Sequence, residues 1–172
     1  MSRTVTLVSP TGDILEECPI LEAHATPGKL HRAFSAYLLS EDGTELLLQK
    51  RHEGKIFGGM WANTCCSHPF PGESAVDAGQ RRIREELGIN AQLQELGWFI
   101  YQADDPRGIG SEHEQDILLK GTIDRDTPVH ADPKEVADWK WMKIAELQAD
   151  MKKNMESYAP WFHQGLPLIL AA

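Results

Sequence analysis

The segment from residue 74 to residue 88 constrains the fold of this sequence more than any other. Ser74, followed three residues later by Asp77, resembles a helix capping box, and Gly88 stands where a glycine commonly ends a helix. These signals predict a helix over Ala75–Leu87. Its apolar positions recur on one face, which predicts a buried stripe formed by Val76, Gly79, Ile83 and Leu87.

The charged residues of this helix are divided between two faces. At about 100° per residue, Glu86 flanks the apolar stripe, whereas Glu85 points nearly opposite to it. Arg82 lies beside Glu86 because residues four apart are neighbours on a helix surface. We therefore expect Glu86, rather than Glu85, to face a site beneath the helix.

Strands and helices alternate along the rest of the chain. Apolar runs around polar turns predict two hairpins, formed by residues 4–8 with 14–17 and by residues 33–39 with 45–50. Pro27 and Gly28 predict an irregular segment over residues 22–29. Further strands are predicted at residues 96–102, 115–121 and 136–142, followed by a helix from Ile144 to about Met155. This order predicts an α+β (α/β) sandwich, with a mixed β-sheet packed between helices.

Composition predicts an acidic, single-domain protein of the cytoplasm. The chain has 172 residues, of which 41% are hydrophobic, so we expect one domain over residues 1–172. Its formal charge of −9 argues against nucleic acid as a partner. With three cysteines, two of them adjacent, and no signal peptide or membrane-spanning run, we expect a reducing, cytoplasmic location and no membrane attachment.

A thiol and an imidazole lie two residues apart at Cys66 and His68. In extended backbone, this spacing places both side chains on one side of the strand. The pair can therefore serve acid–base or nucleophilic chemistry, or metal binding. Two further histidines, His24 and His31, lie in the same part of the chain, although a single histidine is more often an ordinary surface or core residue.

The sequence Glu112-His113-Glu114 places two carboxylates on one face of an extended segment and His113 on the other. Three imidazoles and two carboxylates suit a divalent transition metal. Taken alone, however, this sequence is also typical of a solvated acidic strand edge.

Basic residues are clustered in two places, although the chain is acidic. Arg51 and Lys55 form one pair, and Arg81, Arg82 and Arg84 form a second group on the predicted helix. Guanidinium and ammonium groups bind phosphate well, so both clusters are candidates for an anionic ligand. Surface ion pairing along the helix is the alternative, which we favour for Arg84.

Residues 67–89 resemble most of the Nudix box. Glu73, Arg81, Glu85 and Glu86 match its charged positions, whereas Arg82 replaces a glutamate that pyrophosphohydrolases of this family generally use around their metal. Reversing that charge weakens multi-metal binding for hydrolysis and favours holding an anion. The resemblance implies a Nudix-like sandwich.

Over nearly its whole length, the chain resembles the type I isopentenyl diphosphate isomerases. The segments that carry the resemblance are His24, residues 30–35, Arg51 with Lys55, residues 61–69, residues 81–88, Tyr101, residues 112–114 and Pro160-Trp161. This resemblance implies interconversion of isopentenyl and dimethylallyl diphosphate, by adding a proton to an alkene and removing one from the resulting tertiary carbocation.

The resemblance also implies residue roles. Cys66 and Glu114 would transfer protons, with Tyr101 assisting Glu114. A divalent metal, Zn²⁺ or Mn²⁺, would be held by His24, His31, His68, Glu112 and Glu114. The diphosphate would contact Arg51, Lys55 and Arg82, with Mg²⁺ bridging it to Glu86 and the main-chain carbonyl of Cys66. The aromatic face of Trp161 would stabilise the cation.

Two other functions stay open at this point, a Nudix hydrolase of a nucleoside diphosphate derivative and a non-catalytic metal or diphosphate sensor. Ile20 stands where some family members carry a diphosphate-binding lysine, a role that Lys29 is a candidate to fill. We expect Cys65 to be a small buried packing residue. We expect a monomer or a weak homodimer.

Overall fold

The computed structural model describes residues 3–172. Within that range, nine strands form one sheet: β1 (Thr4–Val8), β2 (Ile14–Pro19), β3 (His31–Ser40), β4 (Glu45–Arg51), β5 (Trp61–Ala62), β6 (Cys65–Ser67), β7 (Gln94–Asp104), β8 (Ser111–Ile123) and β9 (Val136–Lys143). The helices are α1 (Ile20–Ala23), α2 (Ala75–Leu87), α3 (Ile144–Lys153) and α4 (Pro160–Ala171). A 3₁₀ turn at Met155–Ser157 joins α3 to α4.

Strand β3 is the centre of the sheet. It pairs antiparallel with β1, β4 and β6, and parallel with β8 along ten residues from His31 to Ser40. Nine of those ten residues are buried, because both faces of the strand are covered. The register places His31 of β3 beside Glu114 of β8, and Tyr101 of β7 on the other side of Glu114. Three residues of the candidate site therefore lie in one row across the sheet.

The two faces of the sheet bury separate hydrophobic clusters. Alternate residues of β3 point to opposite faces, as the pleat requires, so Phe34, Ala36 and Leu38 contribute to one cluster and Tyr37 and Leu39 to the other. The Phe34 cluster packs against Ile83 and Leu87 of α2, and the Tyr37 cluster packs against residues of α3 and α4. The molecule is thus an α+β sandwich, as the sequence predicted.

Helix α2 begins and ends as its capping signals predicted. The Ser74 hydroxyl accepts a hydrogen bond from the Asp77 amide at 3.0 Å. Gly88 adopts a left-handed conformation, with φ of 70°, and its amide bonds to the Arg84 carbonyl. The buried stripe contains Gly79, Ile83 and Leu87 as predicted, whereas Val76 is only partly buried and Ala78 is enclosed in its place.

Both predicted hairpins and all three later strands are present. Strand β1 has its predicted bounds, and the other six predicted strands extend beyond theirs at one or both ends. The segment predicted to be irregular begins inside α1, because Glu22 and Ala23 complete a single helical turn before Pro27 and Gly28. The helix from Ile144 ends at Lys153 rather than near Met155. Helix α4 was not predicted, and it carries Trp161 into the core. In residues 3–172, none of the helices has the length and apolarity needed to cross a bilayer.

Candidate active site

Three imidazoles and one carboxylate meet beside the central strand. The Nε2 atoms of His68, His31 and His24 lie 2.9, 3.4 and 3.8 Å from the Glu114 Oε1 atom. One donor atom from each of these four residues lies within 4.8 Å of the other three. We refer to His24, His31, His68 and Glu114 as the histidine group. Its mixed nitrogen and oxygen donors suit a divalent transition metal.

The backbone fixes two of these imidazoles from behind. The Nδ1 atom of His24 contacts the Ile20 carbonyl at 2.8 Å, and that of His31 contacts the Lys29 carbonyl at 2.7 Å. A carbonyl accepts but does not donate, so Nδ1 carries a hydrogen in both rings, and Nε2 is the atom left to bind a metal when the ring is neutral. This is the usual arrangement behind a metal-ligating histidine, and the donor set therefore fits a metal.

The charges within the histidine group also suit a cation. Burial lowers the pKa of His68 to about 3, which leaves that imidazole neutral and able to donate a lone pair. Burial opposes ionisation of Glu114, yet its contacts with the three histidines outweigh that effect and hold its pKa well below the usual range. The group thus combines a neutral imidazole with an ionised carboxylate, which is the protonation state that metal binding requires.

Glu112 lies outside this four-residue group. Its carboxylate accepts a hydrogen bond from the Tyr101 hydroxyl at 2.7 Å, and the same hydroxyl lies 2.5 Å from Glu114. Burial, and then the negative charge of Glu114, raise the pKa of Glu112 to about 7. Tyr101 therefore bridges two carboxyl groups that prefer different protonation states, an arrangement that can move a proton between them. His113 is excluded from the group, as strand parity predicted.

The Cys66 thiol lies in a polar cradle formed by Asn63 and Trp161. The thiol donates to the Asn63 side-chain oxygen at 3.0 Å, and the Trp161 indole N–H reaches that oxygen at 2.9 Å and the sulfur at 3.1 Å. The Asn63 amide donates to the carbonyls of Ala36 and Cys65, so its orientation is fixed. Our sequence reasoning gave Asn63 no role, although it opens the segment that contains Cys66.

Burial raises the pKa of the Cys66 thiol to about 12, although the nearby positive charge of Arg51 opposes this shift. The thiol is therefore protonated at neutral pH. Cys65, by contrast, is fully buried in the Phe34 cluster, so the prediction that it is a packing residue is confirmed. Adjacent cysteines thus face a reactive cavity and an apolar core.

A cavity of about 220 Å³ opens above these groups. A smaller inner cavity of about 30 Å³ shares part of its wall, and its lining residues include Cys66, Tyr101, Glu112, Glu114 and Trp161. The guanidinium of Arg51 lies 4.9 Å from the Trp161 ring centroid and 3.5 Å from the Glu112 carboxylate. The predicted proton-transfer residues therefore line one small, enclosed space with a cation at its edge.

A second set of charges, which we call the ion-pair cluster, consists of Lys55, Arg82 and Glu135, which line the outer cavity, and of Glu86, which is buried behind them. Arg82 contacts Glu86 at 2.5 Å and Glu135 at 3.2 Å, and Lys55 pairs with Glu135. Glu86 is fully buried and receives a further hydrogen bond from Gln49, whereas Glu85 is half-exposed. The prediction that Glu86 faces beneath the helix is confirmed.

The other arginines of α2 have different partners. Arg81 donates two hydrogen bonds, of 2.8 and 2.7 Å, to the Glu73 carboxylate. It therefore holds the loop that precedes the helix and does not line the outer cavity. Arg84 donates to the Asn90 side chain at 2.9 Å. The prediction that Arg84 forms an ion pair along the helix was wrong. Helix α2 ends at Leu87, and the chain that follows brings Asn90 to the Arg84 guanidinium.

Comparison with known proteins identifies the family. The NUDIX domain profile matches residues 29–162. The chain is 45% identical to the isopentenyl-diphosphate Delta-isomerase of Nocardia farcinica, with 98% of this chain and 95% of that protein aligned. The isopentenyl-diphosphate Delta-isomerase of Aliivibrio fischeri is 44% identical, with 94% and 92% aligned. The chain belongs to the isopentenyl-diphosphate Delta-isomerase family.

This isomerase family member also has the fold of more distant solved structures. The crystal structure of DR0079 from Deinococcus radiodurans superposes with a TM-score of 0.73, covering 96% of this chain and 99% of that one at 16% identity. A MutT protein from Methanosarcina mazei superposes with a TM-score of 0.65, covering 83% and 94% at 19% identity. At these identities the likeness establishes the Nudix fold alone.

Proposed function

We propose that this protein, as a single domain over residues 1–172, interconverts isopentenyl diphosphate and dimethylallyl diphosphate. The observation that carries the proposal is the inner cavity, whose wall contains the Cys66 thiol and the Tyr101–Glu114 pair together. The relatives named isopentenyl-diphosphate Delta-isomerase, which are aligned over nearly the whole chain, support it.

The chemistry explains why such a cavity is needed. An unactivated alkene is a very weak base, so its protonation requires a well-placed acid, and the carbocation then loses a proton to a base. Water would trap that cation, so the reaction needs a confined space such as the inner cavity. The acid loses a proton to the alkene and the base gains one from the carbocation. A proton must therefore return from the base to the acid before the next turnover in the same direction.

Cys66 and Glu114 are the two proton-transfer residues that we propose. The thiol holds its proton at neutral pH, and Trp161 and Asn63 fix the position of the sulfur. On the other side, the Tyr101 hydroxyl contacts both Glu114 and Glu112. Burial raises the pKa of Tyr101, so its hydroxyl is protonated at neutral pH and can relay a proton between the two carboxyl groups.

Divalent metals belong to this proposal. His24, His31, His68, Glu112 and Glu114 would hold Zn²⁺ or Mn²⁺. Glu112 lies outside the histidine group and is linked to Glu114 by the Tyr101 hydroxyl. When bound, such an ion would favour the ionised form of the carboxylate. The three imidazoles contact the Glu114 carboxylate and thereby position it.

The diphosphate is proposed to lie in the outer cavity, against Arg51, Lys55 and Arg82. All three line that cavity and supply charge-assisted hydrogen bonds to phosphate oxygens. Glu86 and the Cys66 carbonyl would hold Mg²⁺ with the diphosphate, because Mg²⁺ commonly takes few protein ligands beside phosphate. The Trp161 ring is left to face the hydrocarbon end of the substrate in the inner cavity.

Hydrolysis of a nucleoside diphosphate derivative is the second candidate. The contact between Arg82 and Glu86 argues against it, because a guanidinium occupies the carboxylate that would otherwise help to gather several metal ions. A non-catalytic sensor would not need the buried thiol cradle. We further propose a cytoplasmic monomer or weak homodimer that acts on this small molecule without nucleic acid or membrane partners.

The test is to incubate the protein with isopentenyl diphosphate, Mg²⁺ and either Zn²⁺ or Mn²⁺ in deuterated water, and to record proton NMR spectra. We expect dimethylallyl diphosphate that contains deuterium, without phosphate release. Cys66→Ala should lower turnover by about 10²–10⁴-fold. Cys65→Ala is the matched control, since that side chain lies in the core. Phosphate release without isomerisation would establish the hydrolase, and full turnover of Cys66→Ala would exclude the proposed role of the thiol.

A further inference from the structure

Four cationic side chains line the outer cavity: Arg3, Arg51, Lys55 and Arg82. Three of them already have carboxylate partners. Arg51 lies 3.5 Å from Glu112, while Lys55 and Arg82 belong to the ion-pair cluster. These three cations therefore have much of their charge neutralised within the protein.

Arg3 is different. Among residues 3–172, no carboxylate oxygen lies within 4.0 Å of its guanidinium, although the chain carries a formal charge of −9. One terminal nitrogen donates to the Ser67 hydroxyl at 2.9 Å and to the His68 carbonyl at 3.3 Å. Its Nε atom is buried and has no hydrogen-bond partner in the described part of the chain. Donor capacity is therefore left over at the cavity wall.

The backbone holds Arg3 at this wall. The Arg3 carbonyl accepts a hydrogen bond from the Ile20 amide at 2.9 Å, and the next residue begins β1. The guanidinium lies 5.8 Å from the centroid of the Phe70 ring, which adds a second contact beyond Ser67 and His68. Its position is thus fixed by both its main chain and its side chain.

Among the described residues, Arg51, Lys55 and Arg82 are the other arginine and lysine residues that line this cavity. Ile20 and Leu21 supply apolar wall there. Lys29, which the sequence suggested as a replacement for a lysine at position 20, pairs instead with Glu22 and does not line the cavity. This ion pair, which the α1 turn brings about, therefore argues against Lys29 in that role.

Arg3 and Arg82 also repel each other. Burial, and then the positive charges of Arg82 and Arg81, lower the pKa of Arg3. The Nε atom of Arg82 is a second buried donor without a partner in the described residues. A polyanion lying between Arg3 and Arg82 would relieve this repulsion and accept hydrogen bonds from both side chains.

We propose that Arg3 is a further diphosphate-binding residue, which contacts phosphate oxygens across the cavity from Arg82. This inference rests on the proposed function for the identity of the natural ligand. The probe for testing it is inorganic pyrophosphate with Mg²⁺, because this anion has the charged part of the substrate without its hydrocarbon part. Its binding can be measured by calorimetry whether or not the protein isomerises anything.

The variants to compare are Arg3→Gln, Arg3→Lys and, as a matched control, Lys29→Gln. We expect Arg3→Gln to weaken pyrophosphate binding and to raise KM by about tenfold, while kcat and metal content stay near wild type. Arg3→Lys should recover part of the affinity, because it keeps the charge but loses the planar fork. Lys29→Gln should leave both quantities unchanged.

Two outcomes overturn the inference. One is wild-type affinity for pyrophosphate in a folded Arg3→Gln protein. The other is a fall in kcat and bound metal at unchanged pyrophosphate affinity, which would make Arg3 a support for Ser67 and His68 only. If Arg3→Gln does not fold, Arg3→Met, which also removes the charge, takes its place, and wild-type affinity in that variant overturns the inference. If the wild-type protein binds pyrophosphate but makes no dimethylallyl product, the proposed function fails and calorimetry still decides the role of Arg3.

Discussion

The histidine group and the ion-pair cluster lie along the same cavity but are built in opposite ways. In the histidine group, backbone carbonyls fix His24 and His31, and their Nε2 atoms converge on a shared space. In the ion-pair cluster, Arg82 is paired with Glu86 and Lys55 with Glu135. The histidine group has atoms available to bind a cation, whereas the charges of the ion-pair cluster are already paired with one another.

This difference determines how each region responds to its ligand. A preorganised donor set needs little rearrangement, so removing one donor loses binding directly. A self-paired cluster must exchange internal contacts for ligand contacts, and removing one cation leaves a carboxylate without its partner. We therefore expect changes in the histidine group to affect metal and turnover, and changes in the cluster to affect KM.

The largest expected effect comes from Glu114→Gln. This residue belongs to the histidine group and also contacts Tyr101, so its replacement should lower turnover by about 10²–10⁴-fold and weaken metal binding. Deuterium exchange and metal analysis measure the two effects. Glu95→Gln, on the exposed part of β7, is the control. Normal turnover in Glu114→Gln would contradict the expectation that changes in the histidine group lower turnover.

His31→Ala should have the next largest effect. His31 is fully buried and its ring supplies one of four converging donors, so metal affinity should fall by at least about tenfold. His113→Ala, whose side chain lies outside the histidine group, should bind metal as the wild type does. Equilibrium titration with Zn²⁺ or Mn²⁺ gives both affinities. Equal losses in the two variants would show that the group is not the metal site.

Arg82→Gln tests the ion-pair cluster. We expect KM for isopentenyl diphosphate to rise by about tenfold or more with a smaller change in kcat, because a phosphate contact is lost and Glu86 loses its closest cation. Arg84→Gln, an exposed arginine of the same helix, should behave as the wild type does. Steady-state kinetics separates the two constants. A fall in kcat at constant KM would place Arg82 among the proton-transfer machinery instead.

The smallest expected effect is on the pH dependence of metal binding. Burial opposes protonation of His24, but the Glu114 carboxylate outweighs it and raises the His24 pKa above its ordinary value. Metal requires the neutral ring, so affinity should fall as pH decreases through that pKa, by at most about tenfold per pH unit. Metal titrations between about pH 6 and pH 8 measure the slope. His24→Asn should abolish it, and an unchanged slope there would assign the proton to another group.

Local signals in the sequence were enough to predict much of the fold and some of the site. Ser74 and Gly88 defined α2, and helical spacing placed Glu86 on its buried side. Strand parity separated Glu112 and Glu114 from His113. Each of these inferences depends on the capping residues or the side-chain periodicity of a single helix or strand, and both can be read from the sequence of that element.

The features that sequence reasoning missed depend on contacts between distant segments. Asn63 meets Trp161 across 98 positions, and Arg3 meets Ser67 across 64. Glu135 joins the ion-pair cluster from a loop with no signal of its own. Helix α4 escaped prediction because Pro167 interrupts an apolar run that has no side-chain cap. Contacts between distant segments determine the first three features, whereas a proline within the helix hid the fourth.

Helix α4 divides the site into two parts along the chain. The histidine group and the ion-pair cluster are formed by residues between positions 24 and 135, which all precede α4. Trp161, on that last helix, supplies the contact with the Cys66 sulfur and part of the wall of the inner cavity. The C-terminal segment therefore helps to form the inner cavity but contributes no residue to either charged group.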